Sequence, residues 1–147
     1  MSPANWQKFL ELPESERWLL VQALLGLPLI GLGLRLLGLR RMQGLLSHWP
    51  LKNRGAAPAE MIAAFAQRQA HLVQVAARHG LYRPTCLPQS LALWWFLKCR
   101  GIEANLRIGV KPSDSGIEAH AWVELQGQPL NDVVYQHFSP FGPAIAP

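Results

Sequence analysis

Two periodicities divide the chain: helical spacing of apolar residues up to about residue 98, and alternation after it. From Ala59 to His79 the apolar positions Ile62, Phe65, Ala66, Leu72, Val73 and Ala76 form one stripe, with Gln69 its one polar break and Gly80 its stop. That spacing predicts an amphipathic helix. From Leu87 to Leu97 the chain is apolar almost all round, with Leu91, Leu93, Trp94, Trp95, Phe96 and Leu97 leaving little polar face. This predicts a buried central helix. Arg83-Pro84 biases the backbone at 83 toward extended conformations, and Pro88 is tolerated in a first turn, so the helix starts near Thr85 or Cys86. Arg100-Gly101 is a C-cap signal. Ala104 to Val110 reads as a strand with Leu106, Ile108 and Val110 on one face, and Pro112 to Gly116 as a loop. Ile117, Ala119, Ala121, Val123 and Leu125 then alternate with Glu118, His120, Trp122 and Glu124, which predicts a strand with an apolar core face and a mixed, partly polar face. Leu125-Gln-Gly-Gln-Pro129 is a turn signal between two extended runs. The breakers Pro140, Gly142, Pro143 and Pro147 predict an irregular tail from Phe138 onward.

The N-terminal part is helical but less regular. Ser2 to Arg17 has a polar side, and Pro13 starts a second helix. Trp18 to Leu39 is rich in leucine but interrupted by Gln22, Gly26, Pro28, Gly31, Gly33 and Arg35. Only about 17 residues, Trp18 to Leu34, pass without a charge, the lower limit for a membrane span. The favoured expectation is a pair of helices broken near Pro28 that covers the core or binds a partner. Peripheral membrane contact is the weaker alternative and a true span weaker still, with Arg35, Arg40 and Arg41 suited to the cytoplasmic side of a membrane surface. Trp49 to Pro58 reads as a linker, which divides the chain into a helical region and linker, 1–58, and a core, 59–147. No cleavable signal pattern and no internal repeat are present.

With 147 residues, half of them hydrophobic and six of them tryptophan, the chain can fill one substantial core. Charged residues make up 16%, few enough to predict a protein that prefers a partner. The net charge of +5 raises nucleic-acid binding. The basic residues, however, are spread from Lys8 to Lys111, with no helix-turn-helix, zinc-finger or RNP-like word, and nucleic acid is not expected. Neither is a metal, since the cysteines and histidines lack ligand spacing. Gly31-Leu-Gly33 lacks the later lysine of a phosphate loop, and no cofactor is expected. Cys86 and Cys99 on one helix would lie about 20 Å apart, too far for a disulfide. A reducing, cytoplasmic setting fits.

The candidate chemistry centres on Cys86. A cysteine in a first helical turn meets the positive end of the macrodipole and unpaired backbone N–H groups, which favour a thiolate and can cradle an oxyanion. The plain alternative is a small buried hydrophobe, as Cys99 is expected to be. His120, on the mixed strand face, is the candidate base, against the plain reading of an ordinary strand histidine. His48, His71, His79 and His137 are less well placed. Asp132 follows the turn and can orient an imidazole if the connection is odd, as in a three-residue loop centred on Gly127. An even, two-residue loop sends Asp132 to the other face and brings forward Asn131. Both residues are also common turn caps.

Cys86-Leu-Pro-Gln-Ser-Leu-Ala-Leu-Trp-Trp-Phe-Leu, then Glu118-Ala-His-Ala-Trp-Val-Glu124, then Pro129-Leu-Asn-Asp132, give the order Cys, His, Asp of transglutaminase-like cysteine proteases. More narrowly, the words resemble the leader peptidase of lasso peptide biosynthesis in the form where the protease half of the B protein is a separate chain. The resemblance is strong over residues 80 to 140 and loose before them. It implies an α+β fold of transglutaminase-like or papain-like type, with a central helix against an antiparallel sheet. It also implies hydrolysis of one peptide bond in a ribosomally made precursor by a Cys86, His120, Asp132 triad. The backbone N–H of Cys86 and the Gln89 side chain are the candidate oxyanion donors. The implied partners are the precursor peptide, a separate leader-recognition protein and the cyclase that uses the freed amine. Two other classes stay open: acyl transfer to an amine by the same triad, and a non-catalytic scaffold using the apolar N-terminal helices at a membrane.

Overall fold

A single apolar helix organises the molecule. In the computed structural model, which describes residues 13–48, 58–114, 116–131 and 135–142, α3 (Cys86–Lys98) packs between two longer helices, α1 (Glu14–Ser47) and α2 (Ala59–His79), and an antiparallel sheet. The sheet is β1 (Asn105–Ser113), β2 (Gly116–Leu125), β3 (Gln128–Pro129) and β4 (Ser139–Pro140), in the order β3-β2-β1-β4. The architecture is α+β, as the sequence predicts. Leu91, Ala92, Leu93 and Leu97 of α3 are fully buried among Leu27 and Ile30 of α1, Ala66, Ala70 and Val73 of α2, and Leu106 and Val123 of the sheet. α1 therefore shares the core of the later elements.

α2 spans the stretch its apolar stripe marks out, and its polar break, Gln69, is buried. α3 begins at Cys86, after Pro84, and closes on Gly101 at φ 71°, where Gly101 N–H bonds Lys98 O and Ile102 N–H bonds Leu97 O. Those paired bonds around a left-handed glycine end a helix firmly and turn the chain into β1.

α1 departs from expectation. It runs through Pro28, whose ring faces solvent, and turns instead at Gly38, at φ 76° and ψ 169°. That conformation is essentially open to glycine alone. The chain folds back there: a Cβ built on Gly33 would sit 2.6 Å from Met42 Sδ, a contact a straight helix could not make across nine residues. Gly26 and Gly31 have a different role. Each lies under an aromatic ring, Phe96 over Gly26 and Tyr82 over Gly31, which lets α1 approach the core closely.

The sheet is longer and more complete than the alternation suggests. β1 continues through Pro112 to Ser113, where a loop is expected. Phe141 N–H bonds Ile108 O, so even-numbered backbone groups of β1 face β4, and the missing N–H of Pro112 falls beyond that two-residue strand. The tail is not wholly irregular, since β4 adds to β1 opposite Gly109 and Val110 after a 3-10 turn over Tyr135–His137.

Candidate active site

The pairing Glu124↔Pro129 and Leu125↔Gln128 leaves a two-residue turn, Gln126-Gly127, with φ of 52° and 77°. Two successive positive φ values give a turn whose twist matches the strands it joins. The connection is thus even, a correction to the odd loop that would set a strand-borne Asp132 beside His120. The ladder itself soon ends. Leu130 N–H bonds Val123 O, but Val123 N–H goes to Asn131 Oδ1 at 2.8 Å, so a side chain takes over where a third rung would continue. Parity therefore ceases to govern the chain at 131. Asp132 lies outside the described residues. Asn131 does not take over the orienting role, because its amide is engaged elsewhere: Nδ2 donates to Ser90 Oγ at 2.9 Å, and Ser90 Oγ donates to Ala121 O at 2.9 Å.

That bonded chain ties the first half of α3 to the edge of β2. Leu130 N–H to Val123 O shows that odd-numbered backbone groups of β2 face the β3 edge, so Ser90 covers the edge at Ala121, just where β3 has run out. The other end of α3 leads through Gly101 to Asn105, opposite Glu124. Hence α3 runs alongside β2 with its first residue toward 119. Cys86, one turn before Ser90 and about 6 Å along the axis, falls near the level of residue 119 at the β2 edge, while His120 belongs to the β2 face of Trp122, opposite the Val123 face on which α3 packs.

Cys86 is half-buried, and Thr85 makes no side-chain cap. Pro88 has no N–H, and Gln89 N–H bonds Thr85 O at 3.4 Å. The N–H groups of Cys86 and Leu87 are therefore the orphan donors of this helix end. Gln89 donates through Nε2 to Pro84 O at 2.8 Å, which braces the segment entering the helix. Cys99 is of another kind. Burial pushes its thiol up, and the nearby Arg100 and Lys98 charges offset this only in part. It stays a neutral thiol.

His120 lies on the β2 face with Trp122 and Glu124, opposite Gly109 of β1. It stacks on Phe138 at 5.0 Å between centroids and, more distantly, on Trp122 at 6.4 Å, and its Nε2 is buried. The face is less open than the alternation suggests, for Trp122 is fully buried and bonds Glu124 Oε1 through Nε1, while Arg107 Nε holds Glu124 Oε2 at 3.0 Å. Gly109 makes the floor: a Cβ there would meet the Trp122 ring at 2.8 Å and Phe138 Cβ at 3.0 Å. Sequence reasoning missed Ser90, Gly109 and Phe138. Ser90 did carry a signal, since a lone hydroxyl in an otherwise apolar buried helix needs a partner. Phe138 carried none, because its role depends on β4. Among the described residues no three His, Cys, Asp or Glu side chains gather as a metal set would.

The described residues thus place a half-buried thiol at the start of α3 and an imidazole on β2, a strand that α3 packs against. The chain belongs to the transglutaminase-like superfamily, whose core matches residues 29–142, from the middle of α1 to the end of the sheet. Neither the curated proteins nor the solved structures contain a match. Membership points to activity of the cysteine-protease or acyltransferase type.

Proposed function

We propose that this chain is the leader peptidase of a lasso peptide pathway, a cysteine peptidase that detaches the leader from a ribosomally made precursor. The observation that carries the reading is the position of Cys86 as the first residue of α3, at a helix end with two orphan N–H donors, in a transglutaminase-like chain. The Cys86 thiolate attacks the carbonyl of the last leader residue. The resulting oxyanion is held by backbone N–H of Cys86, with Leu87 N–H beside it. His120 accepts the thiol proton and returns it to the leaving amine as the C–N bond breaks. The core peptide departs with a free N-terminus and the leader remains as a thioester. Water, deprotonated by His120, then releases the leader and restores the thiol. Asp132 orients the imidazole, and Gln89 serves as a brace for the helix entry rather than as an oxyanion donor. A separate leader-recognition protein brings the precursor, and the cyclase takes the amine onward; the reaction is cytoplasmic.

The test is mass spectrometry of a precursor incubated with the chain and its leader-binding partner. Cleavage at one bond, abolished by Cys86→Ala, is expected. Transfer of the leader acyl group to an added amine in preference to water would instead assign the site to acyl transfer.

A further inference from the structure

Of the seven large apolar side chains exposed on α1, five stand in one line: Trp18 is 64%, Leu25 65%, Leu29 66%, Leu32 55% and Leu36 73% exposed. At about 100° per residue they fall within an arc of roughly 60° and form one stripe about 27 Å long. The buried residues of the same helix, Leu20, Ala23, Leu27 and Ile30, lie on the opposite side. The helix is thus apolar on both faces, and only one of them is used by the core.

Charge marks what the other face meets. At the end of the stripe, around the Gly38 turn, Arg35, Arg40 and Arg41 are all exposed. No Asp or Glu occurs anywhere from residue 17 to residue 59. The leucine end of the stripe is therefore flanked by positive charge alone, while exposed Glu14 lies one turn before Trp18 at the other end. A second copy of the chain would bring its own arginines to such a seam. An anionic, apolar surface matches both features at once. The packing of Gly26 against Phe96 and Gly31 against Tyr82 holds α1 along the outside of the core, which favours lying on such a surface over crossing it.

We infer that the exposed face of α1 is a docking surface for an anionic lipid bilayer, with Trp18, Leu25, Leu29, Leu32 and Leu36 seated at the headgroup boundary and Arg35, Arg40 and Arg41 on the lipid phosphates. The inference does not depend on the peptidase reading, because vesicle binding needs no Cys86. Tyr82, against α1, belongs to the segment that enters α3, so the bound bilayer lies on the same side of the core as that segment.

The experiment is flotation of the full chain with phosphatidylglycerol-containing vesicles, beside pure phosphatidylcholine vesicles. Binding to the anionic vesicles is expected, weak on the neutral ones and reversed by about 1 M salt, where screening acts within a few ångströms. Each arginine near an anionic leaflet changes partitioning by about fivefold, so Arg35→Glu/Arg40→Glu/Arg41→Glu lowers it by at least a hundredfold. The corresponding lysine variant keeps most of the binding. Leu25→Gln/Leu29→Gln loses it with unchanged circular dichroism, and Cys86→Ala binds as the parent does. Brominated acyl chains quench a tryptophan signal that Trp18→Phe removes. No binding to anionic vesicles, binding indifferent to these substitutions, or a soluble dimer that Leu25→Gln/Leu29→Gln splits would overturn the inference.

Discussion

Asn131→Ala should be among the most destabilising single substitutions outside the apolar core. The side chain accepts from Val123 N–H at 2.8 Å and donates to Ser90 Oγ at 2.9 Å, closing the β2 edge where β3 ends. Val123 and Ser90 are both fully buried. Removing the amide orphans the Val123 N–H, which costs about 1 to 3 kcal/mol, and takes one bond of roughly 1 kcal/mol from Ser90, which still donates to Ala121 O. The sum is about 2 to 4 kcal/mol. For a chain of this size that lowers Tm by roughly 6 to 12 °C. Asn131→Asp should lose less, because one carboxylate oxygen still accepts from Val123 while the other forces the Ser90 hydroxyl to turn away from Ala121 O. Thermal unfolding by circular dichroism reads both, and hydrogen exchange at Val123 reports the orphaned amide. In a cycle with Ser90→Ala, the two losses should couple by at least about 0.5 kcal/mol. A Tm within 2 °C of the parent for Asn131→Ala, or strict additivity with Ser90→Ala, would refute the reasoning.

Cys86→Ala should abolish precursor cleavage with an unchanged circular dichroism spectrum, whereas Cys99→Ala should leave cleavage nearly intact, because burial keeps the Cys99 thiol neutral. Gly109→Ala should cost about 1 to 3 kcal/mol and disturb the His120 stack, since its methyl group would meet Trp122 and Phe138; a thermal scan of the variant checks it. Gly38→Ala should cost a similar amount from backbone strain alone, as nothing lies within 4 Å of the added Cβ, and unfolding by denaturant measures it. The hydrogen bond from Arg68, at 2.8 Å through Nε, holds the Glu16 carboxyl below its ordinary value of 4.5. Because the folded value is the depressed one, the stabilisation is present above about pH 4.5 and is lost as pH falls through the lower, folded value. Solvent screening keeps it under about 1 kcal/mol, so Glu16→Gln should shift Tm by a few degrees at pH 7, and by progressively less as pH falls through the lowered, folded value.

The parts of the fold legible in the sequence are those written in local periodicity. The bounds of α2, the start of α3 at Cys86 and the core face of β2 at Ala121, Val123 and Leu125 follow from spacing and breakers, whereas Ile117 and Ala119, assigned to that same face, are exposed because β2 runs on past the helices there. The misplacements share one cause: several residues carry equal local licence, and distant packing chooses among them. Gly26, Gly31 and Gly38 look alike along α1, yet Phe96 and Tyr82 pack against the first two, and the turn falls at Gly38, where nothing lies within 4 Å. Likewise Gly127 could centre an odd loop, but Gln126 takes a left-handed conformation that only a strand-matched turn rewards. The bond between Ser90 and Asn131 joins residues 41 apart, beyond any local pattern.

Gln89 offers a sharp test between a chemical role and a structural one. Next to a nucleophilic cysteine, a side-chain amide is a natural oxyanion donor, and losing such a donor costs about 10² to 10³ in kcat. In the mechanism proposed above, the helix entry supplies that function from the backbone. Thr85 leaves the helix end uncapped, Pro88 contributes no donor, and the Cys86 and Leu87 N–H groups stand beside the thiol. Gln89 Nε2 is meanwhile turned to Pro84 O, five residues back, where it holds the extended lead-in against the first turn. Gln89→Ala should therefore lower stability by about 1 kcal/mol, the value of one partly buried hydrogen bond, and lower kcat by less than tenfold with KM nearly unchanged. Cleavage kinetics of the variant beside its melting curve decide the matter. A hundredfold fall in kcat at a temperature where the variant is fully folded would return Gln89 to the oxyanion.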